Sequence, residues 1–137
     1  MTDNLIVYPE NVNRFVFDWG HLTMTCGPEV NGATQLSAGV VHVPPGMGHG
    51  RHNHPGSEEI IYVLEGSGEQ MIEDTQGNPV VHQVRAGCTI FVPDSRIHAT
   101  MNTGTTLMRV FVVYSPAGPE LGVRDLPGFR LLPPPHA

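Results

Sequence analysis

The sequence predicts an all-β fold, an antiparallel barrel or jelly roll. Apolar segments of strand length recur about ten times along the chain. The 16 glycines and 13 prolines are spread between these segments, which indicates frequent turns. No helical periodicity extends beyond a turn or two. Together these observations favour a closed or double-sheet β architecture over a helical or mixed one.

Residues 1–32 are expected to form N-terminal strands that pack on the barrel or on a partner subunit. Residues 5–8 and 14–19 have strand-like composition, with turn residues between them. Side chains alternate along a strand, so one face of the second segment carries three aromatic rings. These are Phe15, Phe17 and Trp19. Such a surface predicts a homodimer, because a single small barrel leaves part of it uncovered.

Residues 33–115 are expected to form the barrel core. The segment 36–43 is β-rich and stops sharply at Pro44-Pro45-Gly46. Residues 60–64 are apolar at every position, which predicts a strand covered on both faces. The glycines that follow indicate a hairpin turn. Later strands are predicted at 70–73, 80–84, 89–92, 97–102 and 106–114.

Residues 116–137 are interpreted as a Pro- and Gly-rich C-terminal tail and not as a further domain. The tail carries enough apolar surface to dock on the barrel or on a neighbouring molecule, and its last few residues are expected to fray. Its larger apolar residues are Leu121, Leu126, Phe129, Leu131 and Leu132.

Charge and composition exclude several classes of partner. Seven basic against thirteen acidic residues give a formal net charge of −6, which disfavours nucleic acid and anionic membrane surfaces. The first residues have no basic flank or long apolar run, so a cytoplasmic protein is expected. Without a secretory signal, Cys26 and Cys88 are interpreted as reduced thiols.

A histidine-rich stretch at residues 46–66 suggests a metal site. His52 and His54 stand two apart, so both rings project from one face of an extended backbone. Two adjacent carboxylates follow at Glu58 and Glu59. Imidazole nitrogen and carboxylate oxygen suit borderline divalent ions. The alternative is a surface loop of solvated histidines, which explains one histidine but not a spaced set.

Two motifs in this region resemble those of the cupin superfamily, in residue type, spacing and order. The first is Gly46, five residues, His52, one residue, His54, four residues, Glu59, six residues and Gly66. The second is Gly87, five residues, Pro93, then His98, three residues and Asn102. Ser95 and Cys88 depart from the family pattern, at positions that affect turn geometry and not the metal site. The resemblance implies a small single-domain, metal-binding cupin with a double-stranded β-helix or jelly-roll barrel.

The same resemblance implies that four residues bind one divalent transition metal ion: His52, His54, Glu59 and His98. The spacing to Gly66 favours Glu59 over Glu58, and strand alternation then sends Glu58 to the opposite side. Mn, Fe, Ni, Co and Zn would all accept these ligands, and availability more than affinity decides among them. Three neutral imidazoles and one carboxylate leave such a complex with residual positive charge.

Three further residues are candidates for catalysis. His49 precedes the ligands and could act as a general acid or base, or it could be an exposed loop histidine. Tyr62 could serve as an alternative acid or base. Arg109 could bind a substrate carboxylate if it points inward, whereas outside it would be an ordinary solvated or interface arginine. The alternation of side chains along the strand does not by itself decide between these two orientations of Arg109. Candidate pocket-lining or core residues are Met24, Gln70, Phe91 and Thr100.

The leading functional hypothesis is a metalloenzyme that acts on an oxygen-rich small molecule, with dioxygenase-type oxidoreductase chemistry favoured. Open cis positions on the metal would allow substrate and oxygen to bind side by side. One alternative is a sugar isomerase or lyase, which needs only a Lewis acid and an acid or base. Another is a binding module that fixes a carboxylate or sugar without turnover. Fold and ligands alone do not fix the reaction.

Overall fold

The computed structural model describes residues 4–135 and consists mainly of antiparallel strands. Short helical segments occur only near the two ends of this range, and the longest of them, α1, comprises Pro119–Gly122. The strands are β1 (Arg14–Phe17), β2 (Gly20–Cys26), β3 (Ser37–Val43), β4 (Gly48–His52), β5 (Glu58–Glu65), β6 (Ser67–Glu73), β7 (Pro79–Arg85), β8 (Thr89–Val92), β9 (His98–Met101), β10 (Met108–Ser115) and β11 (Arg130–Leu132).

Two sheets face each other across one core, as the sequence predicts for a jelly roll. The larger sheet has the order β11-β1-β2-β3-β10-β5-β8, and the smaller has the order β4-β9-β6-β7. Strand β10 lies near the centre of the larger sheet, and its buried residues alternate with partly or fully exposed ones. Its inward side chains meet those of β3 and β5, where Val43, Val63 and Met108 are almost completely buried. This arrangement is the double-stranded β-helix or jelly-roll barrel that the sequence predicts, so the predicted fold class is confirmed.

The N-terminal aromatic residues belong to this core and not to a free surface. Phe15 and Phe17 are 6% and 4% exposed, and the rings of Phe17 and Trp19 stack at a centroid distance of 5.0 Å. Strand β1 ends at Phe17, so Trp19 lies in the following turn. The prediction of a strand at residues 5–8 is wrong, because these residues form none and Leu5 is largely exposed. The aromatic residues therefore cannot support the expected homodimer.

The C-terminal segment folds back across the barrel instead of trailing away from it. After α1 a single 3₁₀ turn forms, and β11 then pairs antiparallel with β1. Glu120 in α1 is 7% exposed and accepts a hydrogen bond from Ser37 Oγ at 2.7 Å. The docking predicted for this tail therefore takes place on its own barrel. Residues 1–3 of the N-terminal segment and residues 136–137 of the tail lie outside the described range.

One face of the larger sheet is apolar but open. Strand β5 alternates exposed and buried residues, so the prediction that residues 60–64 are covered on both faces is wrong for a single chain. Ile60, Tyr62 and Leu64 are 45%, 38% and 39% exposed, and Phe91 on the adjacent β8 is 53% exposed. These side chains form a contiguous apolar surface, because Ile60 pairs with Phe91 across the two strands.

Two smaller expectations concern cysteine chemistry and membranes. Cys26 and Cys88 are both free thiols in the structure. Among the described residues, no helix combines the length and hydropathy that a bilayer crossing requires.

Candidate metal centre

Three secondary-structure elements bring the predicted ligands together at one end of the barrel. His52 ends β4 and pairs with His98, which begins β9. Glu59 lies on the inward face of β5 and is 4% exposed, whereas Glu58 points out and is exposed. His54 follows β4 in a loop, and its ring still approaches the ring of His52 at 4.9 Å between centroids.

The donor atoms of these residues converge on a common point. Glu59 Oε1 lies 3.1 Å from His98 Nε2 and 3.4 Å from His54 Nε2. One ring nitrogen from each of the three histidines lies within 4.8 Å of the others. Among the described residues, these three histidines form a group that could hold a metal ion. Glu59 is not part of this three-histidine group, but its contacts with His54 and His98 bring a carboxylate to the edge of the group.

The strongest observation at this site is a set of unpartnered polar atoms. Four buried side-chain nitrogen or oxygen atoms among residues 4–135 have no hydrogen-bond partner, and three of them are His54 Nε2, Glu59 Oε1 and His98 Nε2. Buried polar atoms are almost always satisfied, because an unsatisfied one costs about 1–3 kcal/mol. The convergence of three such atoms, all with lone pairs to donate, fits a cation.

Backbone carbonyls orient two of the rings. His52 Nδ1 lies 2.6 Å from the carbonyl oxygen of Gly50, and His98 Nδ1 lies 2.9 Å from that of Arg96. A proton on Nδ1 satisfies each carbonyl and leaves the lone pair of Nε2 free. The rings are therefore held in the tautomer that metal binding needs.

Protonation states also suit a divalent ion. Burial, with a smaller effect from neighbouring histidines, lowers the pKa of His52 to about 3. Burial alone would raise the pKa of Glu59, but His54 and His98 beside it lower that pKa below its ordinary value. At neutral pH the site therefore presents a neutral His52 ring and an ionised carboxylate.

His49 lies within the same cluster of rings. It pairs with Thr100 across β4 and β9, and its ring stacks on His52 at 3.7 Å and on Trp19 at 4.5 Å. Burial, followed by the influence of His54 and His98, lowers its pKa to about 4, so the imidazole is neutral at physiological pH. The structure thus places His49 beside the ligands, in a strand and not in a solvated loop.

Tyr62 and Arg109 lie on the outer face of the larger sheet, which corrects their prediction as catalytic candidates and, for Arg109, leaves the outward of the two orientations. Tyr62 pairs with Phe111 across β5 and β10, on the side away from Glu59. Arg109 Nε donates to Glu65 Oε2 at 2.7 Å, and both side chains are substantially exposed. The apolar neighbours of these residues on their strands did not reveal which face they occupy.

Sequence reasoning missed a tyrosine that does face inward. Tyr114 is 5% exposed, and its ring meets the His54 ring edge-on at 5.2 Å. Burial, reinforced by Glu59 and Glu120, raises its pKa well above the ordinary value, so the phenol keeps its proton. Along β10, Tyr114 follows the same alternation as the buried Val110 and Val112. This alternation is the sequence signal that could have placed Tyr114 on the inner face.

Two cavities meet at His49 and His52. The inner cavity is small, about 40 Å³, and is lined by Thr100 among others. Thr100 Oγ1 donates to Gln70 Oε1 at 2.6 Å, so this predicted pocket residue has a buried partner. Phe91 and Met24 do not line either cavity.

The outer cavity is larger, about 490 Å³, and opens between the histidines and the C-terminal segment. Its lining includes Val123 and Leu126 from that segment, opposite His49, His52 and His54. A volume of this size falls in the range of about 300–1,000 Å³ that is typical of small-molecule sites. The arrangement places an accessible chamber directly beside the candidate ligands.

Comparison with known proteins agrees with this architecture. The chain is 35% identical to Protein SchB of Streptomyces halstedii over 93 residues, which cover 68% of this chain and 64% of that protein. It is 29% identical to Germin-like protein 1 of Brassica napus over 98 residues, covering 72% and 47% respectively. The chain thus spans about half to two thirds of the length of these curated relatives.

A solved structure and a family model define the fold and the family. The oxalate decarboxylase of Lactobacillus farciminis, solved as a formate complex, aligns with a TM-score of 0.71 at 20% identity. The alignment covers 84% of this chain and 38% of that one, and at this identity it shows the fold alone. The model of the cupin domain matches residues 39–114, which include all four candidate ligands. The chain therefore belongs to the cupin family.

Proposed function

We propose that this cupin is a metal-dependent enzyme that acts on an oxygen-bearing small molecule. The observation that carries the proposal is the convergence of unpartnered atoms from His54, Glu59 and His98 beside an accessible cavity. His52, His54, Glu59 and His98 would hold one divalent ion. When bound, that ion would supply Lewis acidity and, if redox-active, electron transfer.

Two protein groups near the ligands can act on a substrate, one as a proton acceptor and one as a hydrogen-bond donor. The neutral His49 ring lines the outer cavity and can accept a proton from a substrate hydroxyl or enol. Tyr114 keeps its proton and can donate a hydrogen bond from the inner side. Both roles are compatible with dioxygenase-type chemistry, which we favour because substrate and oxygen can be bound together in a partly enclosed chamber.

Two other functions use the same geometry. A sugar isomerase or lyase would need the Lewis acid and the His49 base but no oxygen. A binding module would need the ligands and the cavity but no proton transfer. The position of His49 in the cluster favours an enzyme over a module.

The experiment is to purify the protein without added metal, measure its metal content by mass spectrometry, and follow oxygen uptake with a panel of enolisable acids and diketones. Substrate-dependent oxygen consumption with bound iron, nickel or cobalt is expected. His49→Gln should lower turnover while leaving metal content unchanged. Isomer formation without oxygen consumption would contradict the dioxygenase and support an isomerase. Ligand binding without any turnover would contradict the proposal that the protein is an enzyme.

We also propose that the chain forms a homodimer through the outer face of the larger sheet. The apolar residues there lie in two neighbouring rows across β3, β10, β5 and β8, with strands about 4.8 Å apart. The rows contain Val40, Ile60, Tyr62, Phe91, Phe111 and Val113.

A second copy suits this face because it is apolar and is bordered by the ion pair of Arg109 and Glu65. Two sheets of this kind pack face to face at about 10 Å. Sedimentation equilibrium at micromolar concentration should give a dimer, and Phe91→Glu should give a monomer. Val81→Glu is the matched control, since Val81 is equally exposed but lies on the smaller sheet. A monomeric wild-type protein would refute this assembly.

A further inference from the structure

The outer cavity has one wall that the family match does not include. The cupin-domain match ends at residue 114, whereas residues 116–126 form the side of the cavity opposite the histidines. We call residues 116–126 the C-terminal wall. Its properties belong to this chain and not to the matched domain, so it is the part of the site that can define a particular ligand.

The C-terminal wall is apolar where it faces the cavity. It contributes Pro116, Ala117, Pro119, Val123 and Leu126, together with two glycines. The remaining lining comes from residues 49–57 and includes neutral polar side chains such as Asn53 and Ser57. Among the described residues that line this cavity, none is Lys, Arg, Asp or Glu.

Buried hydrogen bonds hold the C-terminal wall in place. Glu120 Oε2 accepts from Ser37 Oγ at 2.7 Å and from the backbone N–H of Gly118 at 3.0 Å. Ser57 Oγ donates to the carbonyl oxygen of Pro116 at 2.8 Å. Such anchors preorganise the wall, so a ligand pays little to order it.

Charge arithmetic then restricts the ligand. A divalent ion bound by one carboxylate and three neutral imidazoles has a net charge of about +1, which a single negative charge neutralises. A small dianion would bring a second charge into a chamber without a cationic side chain, and burying an unpaired charge is costly. A monoanion avoids that cost, and an apolar body gains by contact with Val123 and Leu126.

We propose that the C-terminal wall selects a ligand with an apolar ring or branched body and one ionisable pair of oxygens, such as an aryl-substituted enolisable diketone. The oxygen pair would face His52 and His54, and the body would lie against Val123 and Leu126. Enolate binding releases one proton to solvent. This inference rests on the proposed function, because it concerns the same site.

The test measures binding and not turnover. Full-length protein loaded with redox-inert Zn²⁺ is titrated calorimetrically with 1-phenylbutane-1,3-dione, with pentane-2,4-dione and with oxalate. We expect the phenyl diketone to bind at least tenfold more tightly than oxalate and more tightly than the smaller diketone. Equal or tighter binding of oxalate, or no binding of either diketone, would overturn the inference.

Paired variants locate the selectivity in the C-terminal wall. Leu126→Arg should weaken the phenyl diketone at least tenfold and strengthen oxalate, because it replaces an apolar contact with a cation. Leu121→Arg is the matched control: Leu121 lies in the same segment, is 45% exposed and does not line this cavity. An unchanged ligand ratio in Leu126→Arg would contradict the proposal.

A second, milder variant covers the case in which Leu126→Arg fails to fold. Leu126→Ala should weaken the phenyl diketone by roughly tenfold while leaving pentane-2,4-dione almost unaffected. Preferential diketone binding without turnover under any metal would contradict the proposed enzyme but uphold this inference. Turnover together with tighter binding of oxalate would support the proposed enzyme but contradict this inference.

Discussion

Asn102, the last residue of the second motif, gives the clearest test of how the barrel is held together. Its side chain is 1% exposed, and Nδ2 donates to the carbonyl oxygens of Val43 and Thr106, each at 2.8 Å. Oδ1 accepts from the backbone N–H of Gly104 at 3.0 Å. One amide therefore joins the end of β3 to the turn that precedes β10.

The substitution Asn102→Ala removes all three hydrogen bonds and leaves their backbone partners unsatisfied. At about 1 kcal/mol for each net bond, the free energy of unfolding should fall by about 3 kcal/mol, which corresponds to a Tm roughly 10 °C lower. Urea unfolding followed by far-UV circular dichroism measures this loss. Asn78→Ala is the control, because that exposed amide makes only a 3.4 Å contact with Asp74, and its effect should stay within about 0.5 kcal/mol. A loss below about 1 kcal/mol for Asn102→Ala would refute the reasoning.

Three further predictions concern other parts of the chain. Ser95 has a left-handed backbone with φ of 64°, so Ser95→Gly should raise the unfolding free energy by up to about 1 kcal/mol, and a decrease in urea stability would count against backbone strain there. Burial, then His42 and Arg14, lower the pKa of His21 to about 4 from 6.5, so the folded state binds fewer protons in this interval. Stability should therefore fall as pH drops from about 6.5 to 4, and His21→Gln should reduce that slope; an identical slope would exclude His21 as a contributor. Glu59→Gln should weaken metal binding at least tenfold in equilibrium dialysis, whereas Glu58→Gln should not, and equal retention would contradict the choice of carboxylate.

The motifs predicted the fold and the position of the four candidate ligands because their spacing is set by local backbone geometry. Ser95 illustrates this: the sequence marks it as a departure from the usual glycine, and the structure gives it the left-handed conformation that glycine favours. Gly66 likewise has a φ of 84° and lies against the backbone of Leu107, where a side chain would collide. Turn positions of this kind are readable from sequence alone.

The faces of the strands were harder to assign, because apolar residues occupy both sides of β5. Ile60 and Ile61 are chemically identical, yet one is 45% and the other 3% exposed. Sequence periodicity does not distinguish a covered outer face from an open one. The same ambiguity affected Tyr62, which lies outside, and Tyr114, which lies inside.

The C-terminal segment was the least predictable region. Its cavity-lining role depends on Glu120, whose partner Ser37 lies 83 residues earlier in the chain. Strand β11 is only three residues long and forms because β1 offers an open edge. Such long-range pairing leaves no local signal in the sequence.

The ring stack at the barrel mouth has an optical consequence. Trp19 is the single tryptophan in the sequence, and His49 lies between its indole and His52, with centroid distances of 4.5 and 3.7 Å. All tryptophan fluorescence of this chain therefore comes from an indole that only the His49 ring separates from the candidate ligand His52. A paramagnetic ion should quench that emission on binding while zinc leaves most of it intact, so the chain carries its own reporter of metal occupancy.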